Sequence, residues 1–198
     1  INDLVLATVS GAVRTFLESR GEDLEGVDFK IAAPVSIRNP DDPEMGNRVS
    51  QWFVPAPIDE ADPLVRVEKI RAATEKLKSS QQALDADLIM NIAEWTPTIL
   101  LTLASRSASG SAPYNMMVTN VPGPQQDLYL LGAKLQALYS QVPIADSTAL
   151  GVALVSYAGK LCWGFNADFE SVPDLEIFVD AIDASFQEIA AAAGVEFF

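Results

Sequence analysis

Three small groups of polar residues stand where a helix or strand would hold them still. They are Asn2 and Asp3 at the front of an amphipathic run, Asn47 and Arg48 in "GNRVS", and Thr119 and Asn120 in "YNMMVTNVPGP". Their chemistry is that of donors and acceptors rather than of nucleophiles. A fixed amide presents an N–H to a carbonyl oxygen, and an arginine at a strand edge positions a carbonyl or a phosphate. "VTNVPGP" is the sharpest of the three, because Pro122 and Pro124 remove two backbone donors and Gly123 permits a turn closed to other residues. Such a stop fixes the direction in which Thr119 and Asn120 project, which suits a binding site, although turn formation accounts for the same residues equally well. Helix capping alone explains Asn2 and Asp3, and strand structure alone explains Asn47 and Arg48.

The residues of heavier chemistry are missing. The chain has no histidine, which removes the commonest general base and the commonest metal ligand together. There is no glycine-rich phosphate loop, no G-x-S-x-G elbow and no cluster of metal ligands, so neither a metal nor a permanently bound cofactor is expected. Cys162 is the only cysteine. It sits in an apolar strand without a cationic neighbour and reads as an inert core thiol, and a chain without a disulfide suits a reducing compartment. Asp41, Asp42 and Glu44 read as a solvated acidic loop, and Asp180 and Asp183 as the wet side of the last helix.

These residues must be positioned by helices and strands in alternation. Asn2 is expected to cap a helix from Asp3 to Arg20, with Val5, Val9, Ala12, Val13, Phe16 and Leu17 on one stripe before Gly21 ends it. "VDFKIAAPVSI" alternates as a strand does, and strand character resumes at Asn47, with Pro55 and Pro57 pushing that strand towards a sheet edge. Asp62 before Pro63 starts a helix whose stripe is Val67, Ile70, Thr74 and Leu77. A further helix is expected over Gln82 to Ser105, kinked at Pro97 and unusually apolar beyond Trp95. The stretch around Asn120 is a strand, "LYLLGAKLQALYSQVPI" a pair of short strands, and "ALGVALVSYAGKLCWGFNAD" a hairpin turning at Ala158 and Gly159. Pro173 opens a final helix with Leu175, Phe178, Val179, Ile182, Phe186 and Ile189 inward. The fold class is α/β, a mixed β-sheet flanked by helices on at least one face.

Composition agrees with a globular domain and narrows its partners. The 198 residues suit a single domain, with 49% apolar and 20% charged residues. A net charge of -14 with 13 basic residues leaves no footprint for nucleic acid and no polybasic patch for anionic lipid. No uncharged apolar run reaches the about eighteen residues of a membrane span. The chain starts with Ile1 rather than methionine and without a signal segment, so the natural N-terminus is expected upstream.

In order, "NDLVLATVSGAVRTFLESRG", "APVSIR", "GNRVSQWFVPAPIDEADP", "VTNVPGP", "LYLLGAKLQALY" and "LVSYAGKLCWGFNADFESVPDLEIFVDAI" resemble the C-terminal half of the bacterial wax ester synthase/acyl-CoA:diacylglycerol acyltransferase (WS/DGAT) family. The resemblance covers nearly the whole chain. It implies one half of a chloramphenicol-acetyltransferase-like, CoA-dependent acyltransferase fold, with the active site between two similar halves. In that family the second histidine of an H-H-x-x-x-D-G motif in the N-terminal half is taken as the base that deprotonates an alcohol, which then attacks an acyl thioester. Nothing here matches that motif, so the resemblance implies that the catalytic half is absent from this chain and that the chain alone is inactive.

Carried over residue by residue, the family's asparagine and aspartate pair falls on Asn2 and Asp3, its G-N-R segment on Gly46, Asn47 and Arg48, and its N-V-P-G-P segment on Asn120 to Pro124. Asn120 and Thr119 are then expected to face the cleft near the reacting carbonyl, and Asn2, Asp3, Asn47 and Arg48 to bind substrate. The implied partners are the N-terminal half, acyl-CoA as co-substrate, and a long-chain alcohol or diacylglycerol. The implied location is the cytoplasm, peripheral to the inner membrane or lipid bodies. Half of a cleft exposes apolar surface, so self-association is a further expectation. Leu100 and Leu101, in the apolar run Ile92 to Leu103, either line an acyl groove or pack on the sheet. Two rival readings stay open: a related acyltransferase or condensation-type domain with other substrates, and a stand-alone lipid-binding or interaction domain without catalysis.

Overall fold

A computed structural model describes residues 1–36, 49–79, 113–144 and 148–196. Its first helix, α1 (Asn2–Ser19), begins one residue earlier than the sequence suggests. Ile1 occupies the cap position and no side chain caps the end, so Asn2 is not the cap; it lies in the first turn with its amide free for another bond. The other end follows expectation. Gly21 adopts φ 77°, its N–H reaches Glu18 O, and the Glu22 N–H reaches Leu17 O, a Schellman stop that needs the left-handed residue glycine supplies.

The strands β1 (Lys30–Ser36) and β2 (Val49–Pro55) come next, followed by α2 (Pro63–Ser79) and β3 (Met116–Val121). A two-stranded ribbon, β4 (Tyr129–Leu130) with β5 (Ala133–Lys134), precedes β6 (Leu150–Tyr157), β7 (Lys160–Ala167) and α3 (Leu175–Ala192). Among the described residues five strands form one sheet in the order β2-β1-β3-β6-β7. The inner pairs β1–β3 and β3–β6 are parallel, while β2 and β7 run antiparallel to their neighbours. This is the mixed sheet the sequence implies, with the proline-rich strand at an edge. Ala158 and Gly159 make the β6–β7 turn, both with positive φ (46° and 80°), as a two-residue I′ loop demands.

Among the described residues, the three helices pack on one face of the sheet. Ile31, Val54, Met116, Val118, Val152 and Leu154 meet the inward stripes of α1 and α3. Phe178 lies edge-on to both Phe16 and Phe165, tying α3 to α1 and β7; burying such a ring stabilises by about 1.5–3 kcal/mol. The α3 stripe differs from expectation. The helix begins at Leu175 rather than Pro173, and Ala181 and Ser185 turn inward while Phe186 is exposed. Small residues are needed there because α1 and α2 approach α3 closely.

At that approach lies a residue the helical stripe of α2 does not suggest. Arg66 is 1% exposed; its Nη2 donates to Glu188 Oε2 of α3 at 3.1 Å and to Ala61 O at 3.4 Å. Gly11 in α1 makes the room, since a Cβ there would stand 1.7 Å from Arg66 Nη1. On the opposite sheet face, Val142 is buried on Gly151, and the Asn166 Nδ2 donates to its carbonyl at 2.5 Å.

Candidate functional site

At the carboxyl ends of β1 and β3 the sheet, the start of α1 and the end of α2 leave a gap. This cavity of about 50 Å³ is lined by Asn2 and Asp3 of α1, Ala33 to Val35 of β1, Trp52 of β2, Thr74 and Lys78 of α2, and Val118 and Asn120 of β3. The carboxyl ends of parallel strands are where α/β sheets open towards ligands.

Two side-chain bonds close the lining. Asn120 Nδ2 donates to Asn2 Oδ1 at 2.7 Å, and Thr74 Oγ1 donates to Asp3 Oδ1 at 2.8 Å. The first bond fixes both amides. Each carries two N–H donors and one acceptor oxygen, so Asn2 keeps both of its N–H groups and Asn120 keeps one, and the pair presents more donors than acceptors. The N-terminus of α1 adds a positive dipole end with its unpaired backbone N–H groups. Asp3, with one oxygen already held by Thr74, opposes a multiply charged anion more strongly than a single oxyanion. The arrangement suits an oxygen that gains its charge during a reaction better than a standing phosphate.

Thr119 and Asn120 part company. Successive strand residues point to opposite faces, and Thr119 pairs in register with Ala153 whereas Asn120 pairs with the core residue Leu154. Asn120 therefore lies on the helix face with Asn2, and Thr119 lies on the other. The turn after them also differs in its cause. Gly123 is not among the residues with positive φ; glycine is required because a Cβ would stand 2.2 Å from Ser156 O of β6. Its N–H donates to Ser156 Oγ at 3.1 Å, and the Ala158 N–H reaches Pro124 O at 3.0 Å, so "VPGP" is bolted to the end of β6.

Asn47 and Arg48, the acidic loop Asp41 to Glu44, and the apolar run with Leu100 and Leu101 lie outside the described residues. Sequence reasoning took Thr74 only as stripe and overlooked Trp52 and Lys78. The Trp52 indole Nε1 is buried without a hydrogen-bond partner, although the residue lines this cavity; the signal was a tryptophan in register with the small Ala33. Cys162 is buried in β7. Among the described residues no group of three or more metal-ligating side chains comes together. The carboxyls held below their usual range stand elsewhere: Asp174 by the Arg20 guanidinium, Asp168 by the Ser171 hydroxyl, and Glu60 by the Lys69 ammonium.

Comparisons with known proteins agree with this architecture. Over 199 residues the chain is 33% identical to a putative diacylglycerol O-acyltransferase of Mycobacterium tuberculosis, covering 98% of this chain and 40% of that one. It is likewise 33% identical over 191 residues to the O-acyltransferase WSD of Acinetobacter baylyi, covering 94% and 41%. Among solved structures it is similar to the wax ester synthase/diacylglycerol acyltransferase of Marinobacter aquaeolei, with a TM-score of 0.71 and 25% identity over 98% of this chain and 43% of that one. The chain thus spans about 40% of the length of the curated relatives it matches. Residues 45–190 match the family model for the WS/DGAT C-terminal domain, and the chain belongs to that family.

Proposed function

We propose that this chain is the C-terminal part of an acyl-CoA-dependent O-acyltransferase that forms wax esters or triacylglycerol from a fatty acyl-CoA and a long-chain alcohol or diacylglycerol. The names of the relatives support the reaction class. The observation that carries the site is the Asn120–Asn2 bond at 2.7 Å, which joins two residues 118 positions apart in a cavity at the carboxyl end of the sheet.

In this reading the alcohol oxygen attacks the thioester carbon while its proton passes to a base carried by the segment preceding Ile1. The carbonyl oxygen takes the electron pair and becomes an oxyanion, to which the remaining N–H groups of Asn120 and Asn2 donate. Collapse reforms the carbonyl and expels the CoA thiolate, which recovers the proton. One such preorganised donor is worth about 10²–10³-fold in turnover. Asp3 holds the first turn of α1 through Thr74, and Asn47 and Arg48 are assigned to substrate. The protein acts in the cytoplasm, peripheral to the inner membrane or to lipid bodies; among the described residues no helix is long and apolar enough to cross a membrane.

The test is CoA release from palmitoyl-CoA, with hexadecanol and with a diacylglycerol as acceptors, by a protein extended to the relatives' length. Transfer to either acceptor that falls in Asn120→Ala with the fold intact is the expected result. No transfer to either acceptor contradicts the reading.

A further inference from the structure

Trp52 brings a donor to the candidate cavity and leaves it unused. Its indole Nε1 is buried and has no hydrogen-bond partner, and the residue lines the cavity together with Asn2, Asp3 and Asn120. An N–H shut away from water and unpaired costs stability until an acceptor comes to it. Indole donates only, so the missing partner is an oxygen. The protein acceptors in this lining are engaged elsewhere: Asp3 Oδ1 takes its bond from Thr74 at 2.8 Å, and Asn2 Oδ1 takes its bond from Asn120 at 2.7 Å.

The register of the sheet places this donor apart from the amides. Trp52 stands opposite Ala33 in β1 and shares a face with the core residue Val54. Ile31 pairs with Met116 and Ala32 with Met117, which brings Val35 level with Asn120. Trp52 is therefore two residues further in than Asn120 and, with β1 between them, two strands across, about 7 Å and about 10 Å in strand geometry. The amides stand at the carboxyl edge of the sheet, and the indole rises from the opposite wall.

We propose that Trp52 binds a second, unreactive oxygen of the acceptor and so selects a diacylglycerol over a plain long-chain alcohol; the inference rests on the acyl-transfer reading above. In that reading the free N–H groups of Asn2 and Asn120 already serve the oxyanion, which leaves the indole for an oxygen that does not react. A 1,2-diacylglycerol carries one, in the ester on the carbon next to that bearing its hydroxyl. A long-chain alcohol has only methylenes there. It would seal the indole N–H against hydrocarbon, and a site built to donate to a substrate oxygen rejects the analogue that lacks it.

The test uses the protein extended to the relatives' length and its Trp52→Phe variant, which keeps an aromatic ring on the strand and removes the N–H. With palmitoyl-CoA as donor, kcat/KM for 1,2-dioctanoylglycerol should fall about tenfold in the variant, while that for decanol stays the same. A reading without turnover is the indole N–H signal in the NMR spectrum that Trp52→Phe deletes. It should move when dioctanoylglycerol is added and stay when decanol is added. Equal losses with both acceptors, as from an indole that serves the thioester or the fold, would overturn the proposal. So would an unchanged preference, or a signal indifferent to both ligands, as from an indole that holds only water. A protein whose indole answers dioctanoylglycerol alone yet transfers no acyl group loses the reaction and keeps the recognition, and an active protein whose preference survives Trp52→Phe loses only the recognition.

Discussion

The side-chain amide of Asn120 in β3 donates to the amide oxygen of Asn2 in the first turn of α1 across 2.7 Å. An asparagine in the first helical turn thereby completes a site that a strand begins. The bond spends one donor and orients the rest, so the amides need no reorganisation when a neighbouring oxygen gains charge. Its direction also sets what each substitution removes. Asn2→Asp keeps the acceptor that Asn120 uses while deleting two donors, so turnover should fall although the Asn120 amide stays fixed.

Thr74 lines the cavity and holds Asp3 there, its hydroxyl donating to Asp3 Oδ1 at 2.8 Å. Thr74→Val keeps the shape and deletes the bond, which should destabilise the fold by about 1 kcal/mol. Kinetics should separate the two effects: kcat falls with KM little changed if Asp3 holds the first turn of α1 in register. Thr74→Ser, which restores the hydroxyl, should recover most of the loss.

Gly11 and Arg66 form a fitted pair between α1 and α2. A Cβ at position 11 would stand 1.7 Å from Arg66 Nη1 and 2.2 Å from Ser185 Oγ, so Gly11→Ala must displace a buried guanidinium. The gain in helix propensity is about 1 kcal/mol. Overpacking should outweigh it, giving a net loss of about 2 kcal/mol in chemical denaturation. Adding Arg66→Ala should cost less than the sum of the two single changes, because the new methyl then occupies vacated space.

Gly123→Ala tests the reason for the stiff turn. A methyl 2.2 Å from Ser156 O forces the turn off β6 and should destabilise by about 1–3 kcal/mol. Were left-handed φ the requirement, Gly123→Asn would be the mildest substitution; steric contact makes it worse than alanine.

The link between the end of α1 and the start of α3 is sensitive to acid. The Arg20 guanidinium holds the Asp174 carboxyl below its ordinary value of 3.8. A carboxyl depressed in the folded state adds stability that is present above its unfolded value and lost as pH falls through the folded one. Asp174→Asn should therefore lower thermal stability at neutral pH and flatten its decline below about pH 4. Equal acid slopes in the two proteins would show that the pair contributes nothing.

The parts of this protein legible in the sequence are those set by local pattern. The helix start at Asp62 is real, with its Oδ1 accepting from the N–H groups of Leu64 and Val65. The hairpin at Ala158 and Gly159 and the stop at Gly21 follow from turn chemistry that spans a few residues. Contacts across the fold were not legible. Asn2 looked like a cap because capping is the commonest use of asparagine at a helix start, and nothing local announces a partner at position 120. Nothing local marks Arg66 as buried, since the room for it comes from Gly11 on another helix, and Gly123 reads as a turn glycine until β6 is seen behind it. Thr119 and Asn120 look equivalent in a string of letters, and the pleat separates them.

The most direct test of the account is a double-mutant cycle at positions 2 and 120, read as kcat for acyl transfer in the protein extended to the relatives' length. If the two amides act as one oriented donor group, Asn2→Ala and Asn120→Ala should each lower kcat by about 10²-fold or more, and the double variant should lose little beyond the worse single one. Losses that multiply, or a normal kcat in Asn120→Ala with the fold intact, would contradict it.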